Sequence, residues 1–236
     1  MPGYDTQQEC VPIAGAADLQ IRALRNRQQY ADPQGIARAL GISSATWPLF
    51  GLLWPSGAEL AAVMALRPLV VGERILEVGC GLGLSSLVMH RRGADVTASD
   101  CHPLAGEFLA ANALLNHLLP MTYRQGAWVD GFGATDAGAE GQDEGRVESR
   151  FGLIIGSDVL YDRDASTALA GFIGRHATAR SAVFIVDPDR SNRAAFGRLM
   201  AAQGYALKER RLDHGATALA PAYKGRLLSY SRAAPP

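Results

Sequence analysis

The chain is short of cysteine, of lysine and of net charge. Only Cys10, Cys80 and Cys101 occur in 236 residues. They stand at no spacing that makes a disulfide framework or a metal-ligand pair, so neither a cross-linked scaffold nor a cysteine metal site is expected. Basic and acidic residues both total 23, which leaves no overall field to hold nucleic acid or an anionic membrane. Only Lys208 and Lys224 are lysine, and the arginine cluster Arg22, Arg25 and Arg27 reads as a solvated helix face. No uninterrupted apolar run approaches the ~18 residues needed to cross a bilayer, and the first residues lack a basic start followed by an apolar core. A soluble, cytoplasmic protein is the expectation. The histidines His90, His102, His117, His176 and His214 show no metal-ligand or catalytic spacing, and His102 reads as a loop residue near the expected cleft.

What is present is a strand, a glycine turn and a helix start. Ile75-Leu-Glu-Val78 is an apolar strand tip, Gly79-Cys-Gly-Leu-Gly83 is the turn, and Leu84 to His90 has helical character. Open α/β sheets bind nucleotide-like cofactors at such a place, because glycine lets a ligand approach the backbone and the helix N-terminus presents free amides. A dinucleotide fingerprint starting at Gly79 requires glycine or alanine at position 84, where this chain has Leu84, and its third glycine comes early at Gly83. The Glu77 carboxylate would repel a pyrophosphate but suits a ligand with a sulfonium and an α-ammonium group. S-adenosylmethionine (SAM) carries both. The run from Ala94 to Asp100 reads as a second strand ending in a carboxylate able to accept hydrogen bonds from both ribose hydroxyls.

The length fits one α/β domain. Residues 1–45 are expected to form a helical cap belonging to the same domain as residues 46–236. Within the cap, Asp32-Pro33 has the form of an N-cap followed by proline, and Gly41 would end that short helix. Trp47 to Pro55 is an aromatic approach to Ser56-Gly-Ala-Glu59, whose spacing predicts a capping box at the start of a helix running to about Leu66. Beyond it the pattern alternates: strands at 74–78, 94–99, 121–127, 151–157 and 182–187, with helices at 84–92, 103–117, 164–178 and 191–203. That is a doubly wound, mostly parallel sheet. Ala206 to Leu212 and Arg226 to Ser231 follow without a convincing helix between them, which predicts a terminal hairpin and a reversed last strand in a Rossmann-like sheet of seven. Residues 131–149, rich in Gly, Ala and acids, read as a mobile loop.

Residues just past strand ends line the crevice of such a sheet, so Asp158 and Tyr161 should face the cleft of Gly79 to Gly83. The plainer alternative makes Asp158 a cap for the next helix and Tyr161 an ordinary half-buried aromatic.

The Leu53-Trp-Pro-Ser-Gly57 approach, the glycine motif, Trp128 after the third strand and Ser157-Asp-Val-Leu-Tyr161 together resemble the class I, seven-strand SAM-dependent methyltransferases. Within that class they are similar to the lysine methyltransferase branch with its Asp-x-x-Tyr signature. The resemblance covers about residues 45–188. It implies that Trp54, Gly79, Cys80, Gly81, Asp100, Trp128 and Ser157 contact SAM, alongside Glu77 and Gly83 of the same motif, and that Asp158 and Tyr161 meet the methyl acceptor. The implied activity is N-methylation of a protein lysine, leaving S-adenosylhomocysteine, with no metal. A small-molecule amine or heterocycle as acceptor, or a SAM-binding module without turnover, are the alternatives. The N-terminal cap and the 131–149 loop match nothing in the family pattern.

Overall fold

A computed structural model describes residues 3–126, 128, 147–217 and 221–234. A hairpin, β1 (Thr6–Val11) and β2 (Leu19–Leu24), precedes a short helix α1 (Ile36–Ala39), a 3-10 turn over Trp47–Gly51 and helix α2 (Pro55–Leu66). The alternating core then runs β3 (Arg74–Val78), α3 (Leu84–Arg91), β4 (Asp95–Asp100), α4 (Ala105–Leu115), β5 (Thr122–Gln125), β6 (Phe151–Ser157), α5 (Arg163–His176), β7 (Ala177–Asp187) and α6 (Arg193–Ala202). Two final strands, β8 (Ala206–Arg211) and β9 (Arg226–Arg232), complete it.

The main sheet has seven strands in the order β5-β4-β3-β6-β7-β9-β8. β3 pairs parallel with β4 and β6, β4 with β5, and β6 with β7, whereas β9 runs antiparallel to both β7 and β8. The reversed final strand expected from the sequence is therefore present. Alternation along β3 sends its side chains to opposite layers. Ile75 packs with Leu60 and Met64 of α2 and Met89 of α3, while Leu76 and Val78 pack with Leu169 and Phe172 of α5 and Phe196 of α6.

The expected helical cap is corrected. Residues 6–24 form a two-stranded antiparallel sheet, and Arg22, read as part of a helix face, lies in β2. Leu19-Gln-Ile-Arg-Ala23 alternates apolar and polar, and Leu19, Ile21 and Ala23 are buried, which is a strand signature of period two. The hairpin docks through amide side chains of α4. Asn112 Oδ1 accepts from the Arg22 amide at 2.7 Å, and Asn116 both accepts from the Gln20 amide at 3.0 Å and donates to the Gln20 carbonyl at 2.7 Å. Backbone groups that an edge strand leaves unpaired are thereby satisfied.

Two local expectations resolve differently. Asp32 accepts from the amides of Ala37 at 3.0 Å and Arg38 at 2.9 Å, but the N-cap of α1 is Gly35 and Pro33 precedes the helix, so the expected Asp-Pro start lies three residues early; Gly41, with a φ of 70°, does stand just past the helix. The capping box at α2 does not form, because Ser56 Oγ bonds the Tyr223 hydroxyl at 3.0 Å and Glu59 pairs with His214 at 2.8 Å. Both partners come from the β8–β9 connection, so long-range contacts displace the local motif. The apolar stretch Trp47–Leu66 is 20 residues long. It is divided between the 3-10 turn and α2, and buries Leu60, Ala61 and Met64 against the sheet. Of the expected 131–149 loop, residues 131–146 lie outside the described residues.

Candidate active site

The site is built where β3, β4 and β6 end side by side. After Val78 the chain turns through Gly79, Gly81 and Gly83, all with positive φ. Two of these turns demand glycine. A Cβ on Gly81 would lie 2.8 Å from the Phe50 carbonyl oxygen, and one on Gly83, which N-caps α3 at a φ of 75°, would lie 2.3 Å from Leu109 Cδ1. The 3-10 turn of Trp47–Gly51 thus lies directly over the glycine turn, with no room between for side chains. Leu84 follows as the first residue of α3, so the helix amides open onto this turn.

Asp100 ends β4 and is buried. Its Oδ2 accepts from the Gly81 amide at 2.8 Å and its Oδ1 from the His102 amide at 2.9 Å. Burial pushes its carboxyl above the usual range against those hydrogen bonds. The carboxylate is thereby fixed against the glycine turn, and each oxygen retains a lone pair for a further donor. Cys80 and Cys101 flank it. Cys80 donates its backbone N–H to the Ser99 carbonyl at 3.0 Å, and burial raises both thiols, that of Cys101 to about 12. Neither is an activated nucleophile.

Glu77, expected beside the cofactor, has a structural tie as well. One oxygen of its carboxylate accepts from both the amide and the hydroxyl of Ser86, the amide at 2.8 Å. It is 3% exposed, and burial lifts it to about 7. The group ties β3 to the first turn of α3 next to the glycine turn.

The two tryptophans are placed differently. Trp128 lies against the glycine turn, its Cζ2 3.5 Å from where a Gly79 Cβ would stand. Trp54 is the N-cap of α2, its indole N–H donates to the Leu49 carbonyl at 2.9 Å, and Arg27 lies 4.9 Å over its ring. Ser157 ends β6 beside Gly57 at the start of α2, its Oγ 3.8 Å from a Cβ built there.

Past β6, Asp158 adopts a φ of 60°, a conformation that a non-glycine residue takes only where its surroundings hold it. Its amide donates to the Val186 carbonyl at 2.9 Å, and its Oδ1 accepts from Arg190 Nε at 2.6 Å. Asp158 is not the helix cap. That position belongs to Asp162, whose Oδ1 accepts from the amides of Asp164 at 2.9 Å and Ala165 at 3.0 Å. Tyr161 is 59% exposed, so its ring is available at the mouth of the cleft.

Sequence reasoning passed over four groups here. His102 is buried, stacks on Phe50 with ring centroids 3.7 Å apart and meets Trp47 edge-on, and its burial lowers it to about 4. Asp187, Arg190 and Tyr223 gather beside Asp158. The run Asp187-Pro-Asp-Arg190 at the end of the fifth parallel strand was the available signal, by the same strand-end rule that points to Asp158.

Residues 53–196 match the sequence model of a family described as lysine methyltransferase. The chain belongs to the lysine methyltransferase family. A Xenopus laevis relative, electron transfer flavoprotein beta subunit lysine methyltransferase, is 28% identical over 147 residues, which is 61% of this chain and 54% of that protein. This lysine methyltransferase family member thus spans about half the length of that curated relative. Among solved structures, a ribosomal protein L11 methylase from Lactobacillus delbrueckii superposes with a TM-score of 0.57 at 17% identity, covering 77% of this chain and 80% of that one. Magnesium protoporphyrin IX methyltransferase from Synechocystis, solved with bound SAM, gives 0.54 at 18% identity, covering 75% and 78%. At these identities the likeness is one of fold. It agrees with the six parallel strands and reversed β9 of this family member.

Proposed function

We propose that this chain is a SAM-dependent N-methyltransferase that modifies a lysine side chain of a protein. The observation that carries the reading is the family match, because residues 53–196 span both the glycine cradle and the Asp158–Tyr161 segment. The donor set also fits the cofactor. A glycine-rich backbone cradle lies beside a fixed carboxylate and Trp128, which suits a molecule with a ribose diol, an adenine plane and a cationic methionine end.

In this reading Gly79, Cys80, Gly81 and Gly83 line the cofactor, Asp100 takes the ribose, and Trp54, Trp128 and Ser157 border the rest. SAM, when bound, supplies a methyl group already activated by its sulfonium. The protein's part is then to align the amine, exclude water and present the amine without its proton. Asp158 orients the nitrogen and Tyr161 forms one wall of the mouth. Proton loss goes to solvent. The name of the Xenopus relative makes the electron transfer flavoprotein beta subunit the first acceptor to try, and the balanced charge fits a cytoplasmic enzyme.

The test is transfer of labelled methyl from SAM to cell-extract protein and to purified electron transfer flavoprotein, with protein and small-molecule fractions counted separately. We expect label in a discrete protein band, with Asp158→Ala retaining SAM affinity within a few-fold while losing about a hundredfold or more of turnover. Label confined to the small-molecule fraction would move the acceptor to a metabolite amine. SAM binding with no transfer anywhere would leave a binding module.

A further inference from the structure

The charge arrangement around Asp158 bears on a difficulty of the lysine reading, and the inference rests on that reading. A lysine amine attacks through its lone pair, yet the free side chain has a pKa of about 10.4, so at pH 7 only about one molecule in two thousand is neutral. A bare carboxylate makes this worse, because it stabilises the ammonium and raises its pKa. Asp158 is not bare. Arg190 places both Nε, at 2.6 Å, and Nη2 on its Oδ1, while Oδ2 takes no hydrogen bond from the described residues. Side-chain exposure is 12% for Asp158 and 35% for Arg190, so the pair is only partly screened by water.

The segment that carries the guanidinium is held by two hydrogen bonds. The Arg190 amide donates to Asp187 Oδ1 at 2.7 Å, which folds the segment after β7 back toward β6. Asn192 Nδ2 then donates to the Leu160 carbonyl at 3.0 Å, tying that segment to the one carrying Asp158. Asp187 itself is fully buried, and its Oδ2 has no hydrogen-bond partner among the described residues. Among the described residues, the other titratable or charged groups beside this cluster are Arg193 of α6, Tyr223 of the β8–β9 connection and, next to Tyr223, Glu59 of α2. Arg193 is engaged by Asp189 at 2.6 Å and Glu59 by His214 at 2.8 Å. That leaves Arg190 as the cation applied directly to Asp158.

We propose that Arg190 is a positioning residue that sets the protonation of the acceptor: by occupying one oxygen of Asp158 and cancelling its charge, it lets the carboxylate orient a lysine nitrogen through Oδ2 without stabilising the ammonium form. The bound amine then gives its proton to solvent more readily. Its lone pair forms the N–C bond as the C–S bond of the sulfonium breaks, the bonding pair passes to sulfur, and the resulting methylammonium releases a second proton to solvent.

The experiment is the pH dependence of kcat, at saturating SAM, on the protein band that the wild-type enzyme labels, for wild type, Arg190→Gln and Arg190→Lys, with SAM binding followed by calorimetry. For Arg190→Gln the acidic limb should move upward by about one pH unit, the size set by one charge a few ångströms away at a partly solvated site. Turnover at pH 7 should fall about tenfold and recover above pH 9, with KM for the protein unchanged or lower. Arg190→Lys, which keeps the charge, should hold the wild-type midpoint and serves as the reading if Arg190→Gln does not fold. Loss of kcat by the same factor at every pH, a rise in KM alone, or a shifted midpoint in Arg190→Lys would each overturn the proposal. If wild type labels no protein at any pH, the lysine reading itself fails, and that result is distinct because it needs no variant.

Discussion

Replacing Glu77 by glutamine should make the protein more stable in alkaline solution, although Glu77 accepts two hydrogen bonds from Ser86. The carboxyl is 3% exposed, and burial raises it from 4.5 to about 7. A carboxyl raised on folding contributes stability in full below its unfolded value and loses it as pH rises through the folded value, because the unfolded chain releases the proton first. Between pH 5 and pH 8 the loss from this one group comes to about 2.5 kcal/mol by linkage. Glutamine cannot ionise, and its carbonyl can still accept from the Ser86 amide. Asp100 and Asp187 are also raised, the latter to about 6, so wild type and variant share part of the pH dependence. The decisive quantity is the difference between them. Urea unfolding at pH 5 and pH 8 should show Glu77→Gln gaining about 2 to 3 kcal/mol on wild type across that interval. Parallel loss of stability by both proteins would refute the assignment, and a variant weaker at pH 8 would show that the bonds to Ser86 outweigh the burial of charge.

Three further outcomes follow from the site. Asp100→Asn keeps the shape that receives the Gly81 amide but removes the charge, and calorimetry should find SAM binding weakened by about tenfold to a hundredfold. Gly81→Ala forces a Cβ to 2.8 Å from the Phe50 carbonyl at a φ of 51°, so the 3-10 turn must move; a thermal melt should record a loss of about 1 to 3 kcal/mol, with SAM affinity falling as well. Asp162→Ala removes the two amide bonds capping α5 and should cost about 1 to 2 kcal/mol in denaturant unfolding while leaving SAM affinity unchanged. A loss of affinity there would move the cap into the cofactor site.

The parts of the fold that could be read from the sequence are those where one residue's neighbours decide its state. β3 and β6 are short, largely apolar runs followed by a glycine or an acid, β4 alternates polar and apolar residues up to Asp100, and the residues of the glycine turn are required by local backbone geometry. Readings failed where a partner far along the chain decided the matter. Ser56 and Glu59 have capping-box spacing, yet Tyr223 and His214 take them. His102 is the loop residue it was read as, but its burial was not legible, because Phe50 and Trp47, which cover it, are about fifty positions earlier. The tie from Glu77 to Ser86 was not legible either, since it depends on the pleat turning the Glu77 side chain toward α3. β1 and β2 are a different kind of miss. The alternation in Leu19 to Leu24 was visible, but the Asn112 and Asn116 side chains that complete the hairpin's edge were not. Arg190 could not be tied to Asp158 by spacing, since the contact depends on β6 and β7 being neighbours.

β9 follows β8 in the chain yet does not lie outside it in the sheet. It sits between β7 and β8 and, among the described residues, is the antiparallel partner of both. During synthesis the half of the sheet that bears the glycine turn can assemble as soon as β6 has emerged, whereas the far half stays unzipped until residue 232 has been translated. Until then β7 offers an unpaired apolar edge, with Val183 and Ile185 among its buried residues. A nascent chain therefore has the strands that carry its glycine turn well before it can close its sheet, and a chaperone that binds exposed strands has its longest opportunity at β7.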